Sequence, residues 1–302
     1  MSSRRTADLR GIIVAVPTPF TADASAVDHD AIKAHADRLV AGGVHGIVCT
    51  GTTGEFTTLS PTEYREVITA WVAAIGGRIP VVAGVGALAT SDAVSLAQHA
   101  ESAGADAIML LPPFYGAQPW EQLVAFLTDV CSSISIPAVY YNVPGATGTT
   151  LTVEQLAALG DIEGLDYIKD TSGDAVKLAE LLVKHTDRIT AFNGWDTLTF
   201  FGIASGAKGS VWGMAGIVPE LSVEFWSTLA EKGDLVAARE QWTHLWALSD
   251  FLESVDYVAG IKGALDLVGH SAGPTRKPIQ PLLPADRERL RAILAAAGAL
   301  AG

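Results

Sequence analysis

The chain has little cysteine: Cys49 and Cys131 are the two in 302 residues, and no C-x-x-C spacing occurs. A disulfide framework and a cysteine-based zinc site are therefore not expected. Cationic surplus is also missing, with 20 Lys and Arg against 33 Asp and Glu and a net charge of −13. Nothing is left over to neutralise a phosphate backbone, so no nucleic acid is expected as partner. The apolar run near the start, residues 11–16, is too short for a signal-peptide core or a membrane span. A cytoplasmic protein with no membrane partner is the expectation. No G-x-G-x-x-G follows the first apolar run, and no Gly-Lys-Ser/Thr follows the glycine turn at Gly51–Gly54. Those absences speak against a dinucleotide fold and a phosphate loop.

What is present is apolar residue in quantity, 49% of the chain, enough for a large packed core. Eight short β-branched runs recur at residues 11–17, 46–50, 80–85, 107–111, 138–141, 165–169, 189–193 and 209–212. Segments with apolar residues at helical spacing separate them. Near-continuous apolar strands alternating with helices indicate a parallel sheet covered on both faces. Eight such units predict an α/β fold, a (β/α)8 TIM barrel, over residues 1–232. Residues 233–302 read as a C-terminal helical appendage: a long helix over 234–257, a second over 258–268, a Gly/Pro loop and a last helix over 285–297. The aromatic stripe of the long helix, Trp242 to Phe251, reads as core or subunit contact, not as a ligand site.

In such a barrel the chemistry sits at the carboxyl ends of the strands. None of the seven histidines falls at such an end, which argues against a metal centre or a Ser-His-Asp triad. The sixth run ends in Lys169. With a period of two, Leu165, Tyr167 and Lys169 share one face, and Ile168 and Asp170 the other. An amine withdrawn from water is more readily neutral, and then nucleophilic towards a keto acid. The alternative is a strand-end lysine that reaches solvent. The fifth run ends in Tyr140-Tyr141, and alternation turns Tyr141 inward with Val139 and Tyr140 outward. The second ends in Thr50-Gly51-Thr52-Thr53-Gly54-Glu55, a hydroxyl-lined turn able to hold a carboxylate. Nucleophile, proton relay and carboxylate cradle together form a kit for Schiff-base chemistry on an α-keto acid.

Gly51-Thr52-Thr53-Gly54-Glu55, Tyr141-Asn142-Val143-Pro144 and Ile168-Lys169-Asp170 fall in an order and at spacings that resemble the dihydrodipicolinate synthase / N-acetylneuraminate lyase family. The likeness runs from Gly11 into the C-terminal helices. It implies a cofactor-free class I lyase, usually a homotetramer built as a dimer of dimers, that binds pyruvate or another 2-oxo acid on Lys169 and takes an aldehyde as second partner. It also implies proton relay by Tyr141, a carboxylate held by Thr52 and Thr53, and a relay completed by Thr53 and by Tyr115 reaching into a neighbouring subunit. Gly194 and Val211 would offer backbone contacts near the Schiff base. Dihydrodipicolinate synthases usually carry an arginine five residues after the relay tyrosine, and here that position is Ala146. Sialic-acid lyases tend to show Gly-x-Asp-Glu after the seventh strand; Gly194-Trp195-Asp196-Thr197 keeps the Asp alone. Trp195 and Trp212 are expected to flank the site. Gly54-Glu55-Phe56 and Lys169-Asp170-Thr171-Ser172-Gly173-Asp174 look more like 2-keto-3-deoxy sugar-acid or 4-hydroxy-2-oxoglutarate aldolases, which implies a 4-hydroxy-2-oxo acid as substrate. Dihydrodipicolinate synthesis, or dehydration of a sugar acid on the same lysine, is the alternative.

Overall fold

The computed structural model describes residues 4–300. The outermost residues of the two expected ranges, 1–3 and 301–302, lie outside the described residues. Eight strands, β1 (Gly11–Ala15), β2 (Gly46–Cys49), β3 (Val81–Gly86), β4 (Ala107–Leu111), β5 (Ala138–Asn142), β6 (Leu165–Asp170), β7 (Thr190–Asn193) and β8 (Gly209–Val211), pair in parallel and in sequence order. β8 pairs back onto β1 and closes the barrel.

Helices return the chain between strands: α1 (His29–Ala41), α2 (Pro61–Ile75), α3 (Thr90–Ala103), α4 (Trp120–Ser132), the single turn α5 (Pro144–Thr147), α6 (Val153–Ala158), α7 (Ala175–Lys184) and α8 (Thr199–Ala204); α9 (Pro219–Trp226) follows β8. The start of α2 is written locally. Ser60 accepts from the Glu63 amide, Glu63 reaches back to the Ser60 amide, and Pro61 occupies the first turn. The appendage is α10 (Leu235–Glu253), α11 (Tyr257–Leu267) and α12 (Pro284–Ala296). No described helix is long and apolar enough to cross a membrane.

Alternation along the strands sorts the core into two layers. Ile13, Val48, Val82, Met109, Val139 and Phe192 fill the barrel interior. Ile12, Ile47, Val81, Ile108, Tyr140 and Ile168 face the helices. Tyr141 is inside, as the alternation predicts.

Two local expectations are corrected. Leu165 does not share a face with Tyr167 and Lys169; it packs among the helices. The pairing of β5 with β6 shifts register there, from Ala138 opposite Leu165 to Val139 opposite Tyr167. Asp166 is thus an unpaired extra residue, a bulge that changes which face the strand presents. The helix expected over 234–257 ends at Glu253. Asp256 stands outside the helix and accepts from the Ala259 amide, so it caps a new helix that begins at Tyr257.

Candidate active site

The register of β5 and β6 sets Tyr141 directly beside Lys169 at the carboxyl end of the barrel. Lys169 is 6% exposed. Its Nζ lies 4.1 Å from the centroid of the Tyr141 ring. Gly194, just after β7, closes on the lysine from the other side. A Cβ at that position would stand 2.7 Å from both Cγ and Cε of Lys169, so only glycine leaves room for the extended lysine.

The turn after β2 supplies the next group. Thr50 and Glu55 flank it in left-handed conformations, at φ of 50° and 54°. Gly54 is needed because a Cβ there would approach the Thr50 amide nitrogen to 2.9 Å. Thr52 Oγ1 lies 3.3 Å from the Tyr141 hydroxyl. The hydroxyl beside Tyr141 is therefore that of Thr52, not that of Thr53, which lines the same cavity without bonding to the tyrosine. The end of the turn is anchored far away in sequence. Glu55 is buried, pairs with Lys262 of α11 at 2.6 Å, and accepts the Arg276 amide at 2.9 Å.

These groups meet in a cavity of about 290 Å³ at the barrel mouth. That is at the lower end of the ~300–1,000 Å³ usual for small-molecule sites. Thr52, Thr53, Tyr141, Ala146, Lys169, Gly194, Asp196 and Val211 all line it. Tyr115 does not; it is 93% exposed and stands away from its own chain's cavity. Trp195 is part of the wall. Trp212 is not a flanking residue: fully buried, it faces the helices beside Phe225 and Trp242. Among the described residues, no three His, Cys, Asp or Glu side chains gather as a metal site.

A profile of the dihydrodipicolinate synthetase family matches residues 8–297. The chain belongs to that family. It is 38% identical over 292 residues to an uncharacterized DapA-like lyase of Halobacterium salinarum, covering 97% of this chain and 95% of the relative. It is 34% identical over 293 residues to the 4-hydroxy-tetrahydrodipicolinate synthase of Methanopyrus kandleri, covering 97% of each. Among solved structures it is similar to the chloride-inhibited dihydrodipicolinate synthase of Acinetobacter baumannii complexed with pyruvate. That likeness has a TM-score of 0.92 and 30% identity, over 96% of this chain and 99% of that one. A second neighbour is a prophage protein of Escherichia coli in complex with pyruvate, at a TM-score of 0.91 and 28% identity, over 97% and 100%. Membership makes this chain a lyase of the class I Schiff-base aldolase type.

Two residues at this family member's cavity lay beyond the sequence reading: Glu253, the last residue of α10, and Tyr257, the first of α11. They lie just beyond the aromatic stripe, whose Trp242 packs against Phe200, Trp212 and Phe225. The Tyr257 hydroxyl donates to Asp196 Oδ2 at 2.6 Å. Burial pushes the Asp196 carboxyl up to about 7, with the Tyr257 hydrogen bond pulling the other way. Burial, and then the nearby Asp196, hold the Tyr257 phenol well above its ordinary value. Glu253 accepts from the Thr197 amide at 2.9 Å and from its hydroxyl at 2.8 Å. The break between α10 and α11 folds these residues over the mouth, and the Asp256 cap is its one sequence signal.

Proposed function

We propose that the enzyme cleaves, or in reverse forms, a 4-hydroxy-2-oxo acid, with pyruvate as the keto-acid half and an aldehyde as the other. Lys169 Nζ attacks C2 of the oxo acid, and loss of water leaves an iminium. Tyr141 takes the proton of the C4 hydroxyl. The C3–C4 bond breaks, its electron pair enters the iminium as an enamine, and the aldehyde departs. Protonation at C3 and hydrolysis then release pyruvate and the free lysine. The iminium serves as the electron sink, so the route needs no cofactor.

The observation that supports this reading is the convergence of three groups at one cavity: Lys169 Nζ 4.1 Å from the Tyr141 ring centroid, and the Tyr141 hydroxyl 3.3 Å from Thr52 Oγ1. Thr52 and Thr53 receive the substrate carboxylate, and Gly194 and Val211 border the Schiff base. In this reading the enzyme is cytoplasmic and a homotetramer, a dimer of dimers in which Tyr115 reaches into the neighbouring subunit's site. Two structural neighbours whose names include bound pyruvate support the keto-acid half.

Dihydrodipicolinate synthesis is the second reading, because several relatives bear that name. Ala146 weighs against it, since its methyl offers a carboxylate nothing. A guanidinium there would supply a charge-assisted contact of roughly 1.5–3 kcal/mol. Sugar-acid dehydration on the same lysine is separated from cleavage by assaying 2-oxo acid semialdehyde against free pyruvate. The first test is trapping: incubation with pyruvate and borohydride, then mass spectrometry. One reduced adduct on Lys169, absent in Lys169→Ala, is the expected result. An adduct that survives that replacement would refute the mechanism.

A further inference from the structure

We propose that the aldehyde half of the substrate is neutral, bearing neither carboxylate nor phosphate. This rests on the Schiff-base reading above and narrows it. The charged side chains lining the cavity are Lys169, Asp196 and Glu253. One cation therefore faces two carboxyl groups, and the chemistry engages that cation. Once Lys169 is bonded to C2, its positive charge is matched by the carboxylate of the pyruvoyl half, seated against the Thr52–Thr53 turn. Among the described residues, a second anionic group on the departing aldehyde would find no arginine and no other lysine in the wall.

The rest of the wall is consistent with a neutral guest. Val143 and Ala146 are apolar, and Trp195 adds an indole face. Asp196 and Glu253 are acceptors already ordered by Tyr257 and Thr197. Each carboxyl oxygen keeps a further lone pair for a hydroxyl donor. A hydroxylated aldehyde can use those acceptors, whereas an anion would lie beside the Glu253 carboxylate, whose charge opposes it.

The test is condensation with pyruvate across pairs of equal carbon count: glycolaldehyde against glyoxylate, butanal against succinic semialdehyde, and glyceraldehyde against its 3-phosphate. Borohydride trapping of pyruvate is run on the same preparation. Neutral members are expected to exceed their anionic partners in kcat/KM by about 100-fold, equivalent to ~2.7 kcal/mol. Glu253→Gln should narrow that gap, and Ala146→Arg should raise use of the carboxylate-bearing aldehydes by about 10-fold or more, equivalent to ~1.4 kcal/mol. Equal or faster turnover of glyoxylate or succinic semialdehyde, with trapping intact, overturns the inference and leaves the Schiff base standing. Intact trapping with no condensation of any aldehyde also overturns it. Loss of trapping brings down both.

Discussion

Two lysines of this chain are almost equally buried, yet their surroundings are opposite in kind. Lys169 and Lys262 are 6% and 3% exposed. Lys262 is enclosed by partners: Glu55 at 2.6 Å, the Pro274 carbonyl at 2.9 Å and the Phe20 ring at 4.3 Å from its Nζ. Burial pulls its pKa down and Glu55 pulls it back up. Lys169 has an aromatic face on one side and an open cavity on the other. Among the described residues no salt bridge joins it, although Asp196 shares its cavity. Burial alone therefore does not make a lysine a nucleophile. A buried ammonium locked to a carboxylate is a structural tie, while one next to a cavity is available for bond formation.

The comparison can be broken most directly at Lys169. Its replacement by alanine is expected to lower turnover by at least ~10⁴-fold, the scale seen when a covalent nucleophile is removed. The melting temperature should barely move. A borohydride adduct found on Lys262 in that variant would overturn the contrast. Tyr141→Phe is the next largest, with turnover falling ~10²–10⁴-fold as a positioned acid–base group is lost. The adduct should still form, and single-turnover kinetics would separate trapping from bond cleavage.

Lys262→Met tests the other side. It strands Glu55 without its cation and should cost ~3–5 kcal/mol in urea unfolding. Combining it with Glu55→Gln should restore part of that loss, because the stranded charge is removed as well. A third buried basic group provides the smallest effect. His35 has the Ser271 carbonyl as its partner in place of a carboxylate, and burial lowers its pKa from 6.5 to about 4. The unfolded chain thus binds a proton between pH 6.5 and about 4 that the folded chain refuses. Stability should fall as pH drops through that window, by up to ~3 kcal/mol, and level off below it. Urea midpoints of wild type and His35→Gln across pH 4–7 would show the difference in slope.

Much of this was legible in the chain itself. Strand and helix periodicities are local, so the eight β/α units and the inward turn of Tyr141 could be read directly. Lys169 stood out as a charged residue ending an apolar run. Three features were not legible, each for a physical reason. The change of helix expected after residue 257 falls earlier, after Glu253, with the Asp256 cap as its local signal, and the approach of Tyr257 to Asp196 spans 61 positions with no local signature. Trp212 and Val211 are neighbours whose opposite orientations depend on where β8 meets β1. Thr52 and Thr53 are chemically identical, and only the left-handed backbone at Thr50 and Glu55 decides which hydroxyl meets the tyrosine.

The bulge at Asp166 has a larger consequence than its size suggests. Leu165 faces the helices and Lys169 faces the cavity, four positions apart along one strand. Strict alternation would put both on the same side. The extra residue absorbs that mismatch, so Leu165 and Lys169, the amine proposed to react, each keep their own face, while Asp166 itself lies outside the cavity lining. Every substitution at Asp166 preserves that count, and only deleting the residue changes it. Deleting it would leave Leu165 and Lys169 three positions apart, where plain alternation already puts them on opposite faces, so the shortened strand should keep Lys169 in the cavity and a lysine adduct should still form.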